Sequence, residues 1–320
     1  MRRTIPLSLL VLLALVPAAP AAARSSVRVG LADQNPAMFA SPYFQQLGIR
    51  RARYFVPSDV MRDAGERARA RAFVEAARRS GVSTFLHVST TDLRDKRGPI
   101  VSPGAYRRDV GRLVAYFRRL GVRDFGAWNE VNHKSQETWN RVGNAVSYFK
   151  SMYSAVRRRC PTCGVVGLDL LDQRGVDRYI RSFYARLSRT WRTRLKVVGI
   201  HNYSDVNRNR SRGTATIIRT VRRYNRRARF WFTETGALAS FGRSFAYDEA
   251  RQASRMRNMF SFASRYRSRG VERVYSYNFF GIENDGCGTR CRFDAGLLDP
   301  DGTPRPVYDV FRSRLAGYSR

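Results

Sequence analysis

The feature that most restricts the fold is an eightfold alternation. A short apolar run is followed by a longer, arginine-rich amphipathic stretch, and the unit repeats to the end of the chain. The runs are 27–33, 49–55, 82–89, 122–130, 164–172, 195–205, 229–236 and 271–281. Helical patterning follows each of them, from 36–47 after the first to 305–315 after the last. Apolar strands separated by helices belong to a parallel sheet that helices cover. Gly48, Gly81, Gly121 and Gly270 stand just ahead of a strand, where a left-handed helix end favours a residue without a Cβ. Eight repeats predict an α/β fold closed into a (β/α)8 TIM barrel. An open doubly wound sheet would carry a glycine-rich phosphate turn after its first strand, and the chain reads LADQNP there.

Length agrees with one barrel and does not force a second domain. Residues 1–23 stand apart from it. Arg2 and Arg3 precede the apolar run IPLSLLVLLALVPAA, and alanines at 21–23 follow at cleavage spacing. This is the pattern of a secretory signal peptide cut after Ala23, with an uncleaved N-terminal anchor as the alternative. The expectation is an exported protein whose single domain spans 24–320.

In such a barrel the working side chains stand at the C-terminal ends of the strands and in the loops after them. Two stretches draw attention there. FGAWNEVNH (125–133) ends strand 4 with Trp128, Asn129 and Glu130, and FWFTETG (230–236) ends strand 7 with Glu234. Strands 4 and 7 lie on roughly opposite walls, so the two carboxylates face one mouth. Glycoside hydrolysis needs such a pair, one to protonate the leaving oxygen and one to act on the anomeric carbon. Their pKa values must then differ. Arg53 in strand 2, or the Tyr203 hydroxyl, is placed to keep Glu234 ionised, whereas Glu130 has fewer cationic neighbours in the sequence. The same mouth collects Asp169 after strand 5, His201 and Tyr203 after strand 6, and Tyr277 and Phe279 after strand 8. His87 in strand 3 and His201 read equally as substrate contacts and as hydrogen-bonded core residues. Trp128 and Tyr203 read also as packing.

WNEVN on strand 4 with TETG on strand 7 resembles the paired signatures of the clan A (β/α)8 retaining glycoside hydrolases, in the manner of families 39 and 5. The tail GLLDPDGTPRPVYDVF (296–311) is similar to the segment leading into the last helix of many such barrels. The resemblance covers nearly all of 24–320 in element order, with about thirty residues in its sharp motifs. It implies Glu130 as acid/base, Glu234 as nucleophile and Asn129 as a sugar ligand. It also implies substrate contacts at Arg53, His201 and Tyr203. Two departures stand out: Val131 replaces the usual proline, and strand 8 ends in YSYNFFG without the tryptophan that floors the sugar site. Tyr277, Phe279 or Phe280 is left to supply a stacking face.

The charge narrows the partners. The chain carries 59 basic and 25 acidic residues, a formal +34, and only four of the bases are lysine. Such a surface attracts anionic polymers through salt-sensitive contacts. An arginine-favouring genome explains the Arg/Lys ratio but not the shortage of acids. An anionic cell-wall or extracellular polymer is therefore one expected partner. Nucleic acid is disfavoured by the leader and by the absence of a nucleic-acid motif. The rival reading is a non-catalytic exported barrel that binds such a polymer. Three histidines without ligand spacing, no P-loop and no serine elbow predict no metal and no cofactor. Cys160 with Cys163, and Cys287 with Cys291, read as two local disulfides in an exported chain, or as a zinc site were the pairs to meet.

Overall fold

A computed structural model describes residues 25–90, 100–283 and 292–320. The expected Cys287–Cys291 disulfide and the expected leader at 1–23 lie outside the described residues. The strands are β1 (Ser25–Ala32), β2 (Arg51–Pro57), β3 (Ser83–Ser89), β4 (Asp124–Gly126), β5 (Gly164–Leu171), β6 (Val197–His201), β7 (Arg229–Thr235) and β8 (Val271–Tyr277). They pair in chain order, and β1 pairs with both β8 and β2, so the sheet closes. Every ladder is parallel. The chain is a (β/α)8 barrel, with β9 (Tyr318–Ser319) added beside β1.

The helices outside it are α1 (Pro42–Leu47), α2 (Ala64–Arg79), α3 (Pro103–Arg119), α4 (Val142–Arg159), α5 (Val176–Ala185), α6 (Arg189–Arg194), α7 (Tyr203–Asn207), α8 (Arg212–Tyr224), α9 (Glu249–Arg267) and α10 (Pro306–Leu315). Their burial follows the 3.6-residue period. On α8, Thr214, Ile217, Ile218 and Val221 are buried while Arg212, Arg219 and Arg223 are exposed. Asp63, Ser102 and Asp248 cap α2, α3 and α9 by accepting from backbone N–H groups at 2.9, 3.2 and 2.8 Å, each cap worth about 1 kcal/mol. Gly48, Gly81, Gly121 and Gly270 all have positive φ, as their positions before strands require.

Three expected boundaries move. The helix anticipated at 36–47 is a 3-10 turn, Pro36–Ala40, then α1, because Pro42 cannot donate and forces Ser41 to extend. The run 195–205 is a strand only to His201, and Tyr203–Asn207 turns into α7. Strand 4 stops at Gly126, Ala127 and Asn129 still donate to Val166 and Val88 at 2.9 and 2.8 Å, and a turn begins at 129. At the second and third places buried carboxylates take the backbone groups that the ladder would use: Asp172 accepts from the Ser204 and Asp205 N–H groups and Asp169 from that of Glu130.

Inside the barrel, Ala32, Phe85, Val166, Trp231 and Tyr275 form a plug. The main apolar shell lies between strands and helices. Arg273 stacks 3.8 Å from the Trp231 ring centroid and pairs with Asp124 at 2.5 Å, closing the lower end of the plug. Cys160 caps the end of α4 and forms a disulfide with Cys163, which replaces the zinc alternative at this pair.

Candidate active site

Above the plug the strand ends open into a cavity of about 580 Å³. Its walls include Asn129 and Glu130 after β4, Tyr203 in α7, Glu234 in β7 and Tyr277 in β8. Two buried cationic side chains organise it from below.

The first is Arg53, fully buried on β2. One amino group donates to Glu234 Oε2 at 2.6 Å and the other to Asn129 Oδ1 at 2.6 Å. Its Nε and second amino group also face His87 Nδ1 at 3.3 and 3.2 Å. His87 Nδ1 is therefore an acceptor, and the imidazole is neutral. Burial pushes His87 down to about 3, with Arg53 and His201 adding to the effect against Asp169. The Tyr203 hydroxyl donates to Glu234 Oε1 at 3.1 Å, so both oxygens of Glu234 are held. Both partners anticipated for Glu234 are in place.

The second is His201, also fully buried. Its Nδ1 lies 2.9 Å from Glu130 Oε1 and 3.8 Å from Glu234 Oε2. Its Nε2 makes an ion-pair contact with Asp169 Oδ2 at 2.9 Å. Burial opposes a charge on His201, yet Asp169, Glu234 and Glu130 raise it to about 10. Burial likewise opposes a charge on Glu130, but the hydrogen bond and charge of His201, with His133 beyond, hold its carboxyl below the ordinary value. The expectation that Glu130 has fewer cationic neighbours than Glu234 is corrected: two histidines approach it, His201 at 2.9 Å and His133 at 3.9 Å.

Asp169 has a different place from the one expected. It is buried beneath the cavity and does not line it. Its Oδ2 accepts from the Glu130 backbone N–H at 3.2 Å, its carbonyl accepts from Val131 at 3.0 Å, and its Oδ1 takes the Thr233 hydroxyl. Burial would raise Asp169, but His201, His87 and Arg53 hold it well below the usual carboxylate range. These contacts fix the turn that delivers Glu130, whose φ of 42° is rare for a residue with a side chain. Two glycines make the room. A Cβ on Gly199 would lie 1.8 Å from Asp169 Oδ1, and one on Gly126 would lie 2.1 Å from the His87 ring.

Two further expectations are corrected. Trp128 is 2% exposed and turns outward, packing on Tyr106 and Tyr148 while its Nε1 donates to Gln136. β4 has already ended at Gly126, so Trp128 falls on the helix side of the turn. Phe279 is fully buried against Phe44 and Phe280. Asp33 accepts from the backbone N–H groups of Phe279 and Phe280 at 2.9 and 3.1 Å, which pins that segment to the end of β1. Tyr277 alone of the strand-8 aromatics expected at the site faces the cavity.

The cavity also has an aromatic wall that the sequence did not single out. Phe55, Phe241, Phe245 and Phe293 line it beside Tyr203 and Tyr277. Phe293 packs edge-on to Tyr203 at 5.0 Å and to Phe241 at 5.6 Å. The available signal was aromatic residues inside an otherwise polar loop, FGRSFAY at 241–247.

Among solved structures the fold is similar to a glucosidase from Croceicoccus marinus, with a TM-score of 0.67 and 12% identity, covering 92% of this chain and 67% of that one. It is similar to a family 39 glycoside hydrolase from the gut symbiont Bacteroides cellulosilyticus WH2, with a TM-score of 0.62, 15% identity and 92% of this chain covered. The chain spans 64% of that protein's length. A family GH5, subfamily 18 protein from Bifidobacterium longum subsp. infantis gives 0.64 and 14%, over 93% of this chain and 80% of that one. At these identities the likeness is one of fold. No sequence-family profile and no curated protein matches the chain.

Proposed function

We propose that this chain is an exported retaining β-glycosidase that hydrolyses O-glycosidic bonds of an oligo- or polysaccharide by double displacement. One observation carries the reading: Glu130 and Glu234 arrive from different strands and flank one imidazole, at 2.9 and 3.8 Å from His201 Nδ1. Their oxygens are no farther apart than those two distances laid end to end. A close approach of this kind is what the roughly 5–5.5 Å between the carboxyls of a retaining pair requires.

In this reading Glu234 is the nucleophile. Arg53 and Tyr203 hold and aim its carboxylate, and its oxygen bonds to the anomeric carbon as the bond to the leaving oxygen breaks. Glu130 gives that leaving oxygen its proton. In the second step Glu130 takes a proton from water, whose oxygen displaces Glu234. Asn129 has its Oδ1 occupied by Arg53, which leaves its amide N–H groups to donate to a sugar hydroxyl. The aromatic wall offers apolar faces to the sugar ring.

The acid step needs a neutral Glu130, yet the carboxyl is held low in the unliganded site. The proton is available one bond away. Glu130 and His201 share it, and substrate that expels water disfavours the ion pair and moves the proton from Nδ1 to the carboxylate. Export is supported by the leader pattern at 1–23 and by the Cys160–Cys163 disulfide, a linkage kept in oxidising compartments.

The test is reducing-end release from a panel of β-linked polysaccharides by the protein, by Glu130→Ala and by Glu234→Ala, with NMR of the first anomer formed. The reading expects cleavage by the parent protein alone, with β-anomer appearing first. Release that survives Glu234→Ala, or α-anomer first, overturns it.

A further inference from the structure

The cavity does not end at the glutamates. On the side of the loops after β5 and β6 it is bordered by a second hollow of about 960 Å³, and the two share Asp172, Gln173, Arg174 and Arg210 as walls. Six exposed arginines border the combined groove: Arg174, Arg208 and Arg210 in the first part, Arg178, Arg212 and Arg219 (with Arg174 and Arg210 again) in the second.

The carboxylates on those walls, apart from the two glutamates, do not neutralise them. Asp172 is buried and accepts from the backbone N–H groups of Ser204 and Asp205 at 3.1 and 2.6 Å. Asp177 pairs with Arg181 at 2.8 Å. Among the described residues only Arg210 of the six reaches a carboxylate, Asp205 at 3.8 Å. The arrangement differs from α2, where Arg69 and Arg71 are matched to Glu66 and Glu75 one turn away. Like charges gathered on a concave wall repel one another and focus a positive field into the groove. Arg208 is also pre-positioned, its guanidinium 4.9 Å from the Phe245 ring centroid.

We propose that this groove binds an anionic glycan, so that the substrate is a β-linked polysaccharide carrying carboxylate or sulfate groups on sugars away from the cleaved bond. The cleavage half of the statement rests on the glycosidase reading, and the binding half does not. The planar guanidinium fork matches both oxyanions with two parallel hydrogen bonds. The charge is read at a distance from the reacting sugar, because the guanidinium beside the glutamates, Arg53, is already committed to Glu234 and Asn129.

The experiment is calorimetric titration of Glu234→Gln protein with three ligands. These are β-1,4-linked glucuronate oligosaccharides, the same chains after reduction of the carboxyls to the neutral sugar, and a sulfated derivative of the neutral chain. At low salt a charged chain binds at least about tenfold tighter than the neutral one, and the gap narrows as salt rises. Whichever charged arm binds identifies the oxyanion. Combining Arg174→Gln, Arg178→Gln, Arg208→Gln and Arg212→Gln removes the preference. Combining Arg78→Gln, Arg79→Gln, Arg158→Gln and Arg159→Gln, at the helix C-terminal ends on the opposite face, keeps it. Equal binding of charged and neutral chains overturns the proposal, and so does equal loss in both quadruple variants, which assigns the preference to bulk charge. Charged-chain binding without hydrolysis by the parent protein leaves the groove standing and removes the glycosidase reading. Hydrolysis of neutral chains with no charge preference does the reverse.

Discussion

The Nδ1 of His201 stands 2.9 Å from Glu130 Oε1, so the protonation of Glu130 is a property of the pair. With Asp169 on the other ring nitrogen, the imidazole is wedged between two acids and keeps its proton to about 10. The alkaline limb of kcat/KM is therefore expected well above the range of a lone carboxyl. His201→Gln removes the proton store and leaves Glu130 alone to carry the acid role. The limb then moves to lower pH by more than about one unit, with a fall in kcat of roughly 10–1000-fold. Matching pH–rate profiles in the two proteins would show that His201 only packs.

The two buried histidines also set opposing slopes on stability. Unfolded His87 takes up a proton below about 6.5, but the folded ring refuses it until about 3, so stability rises as pH climbs through that window. Folded His201 keeps its proton from 6.5 up to about 10 while the unfolded chain has lost it, so this contribution is full below 6.5 and is lost as pH rises toward 10. Each slope is at most about 1.4 kcal/mol per pH unit. Denaturant titrations across pH should show His87→Gln flattening the acid side and His201→Gln flattening the alkaline side, relative to the parent. A pH dependence that neither variant alters contradicts these assignments.

The barrel and the two glutamates were legible because they are written locally. Each strand is a contiguous apolar run, and Glu130 and Glu234 are polar residues at the ends of such runs. Even the pairing of Arg53 and Tyr203 with Glu234 follows from strand order, since adjacent and facing strand ends share one mouth. What was illegible depends on where a strand stops. Trp128 and Phe279 each fall two residues beyond the end of their strand, where the turn and not the period of two sets direction. Asp169 reads as a mouth residue until Gly199 is seen to leave it space inside the barrel. The contact of His201 with Glu130 joins residues 71 positions apart, and no spacing reveals it. The aromatic wall comes from loops that share no period with the strands.

Glu130→Ala separates the two chemical steps. A sugar with an activated leaving group needs little protonation, so its first step slows far less than that of a natural glycan, which is expected to lose roughly 10²–10⁴-fold. Release of the enzyme-bound sugar then becomes limiting, because no base activates water. Added azide, which needs no base, should restore turnover and give a β-glycosyl azide. No rescue, or an α-azide, counts against Glu130 as the acid/base of a retaining reaction.

Arg53 and Tyr203 hold opposite oxygens of Glu234, and their loss should differ in kind. Arg53→Met leaves a carboxylate only 12% exposed without its cation, and strips Asn129 Oδ1 and His87 Nδ1 of their donor as well. Breaking a buried pair from one side costs about 3 kcal/mol or more, so Tm should fall by roughly 5 °C and activity by at least about 10³-fold. Tyr203→Phe removes one neutral donor, leaves the Arg53 contact in place and costs about 1 kcal/mol of stability. Its kcat should drop roughly 10–100-fold with Tm nearly unchanged. Calorimetry beside steady-state kinetics on the same two variants makes the comparison. If Tyr203→Phe unfolds as readily as Arg53→Met, the hydroxyl is part of the packing and not a device for aiming Glu234.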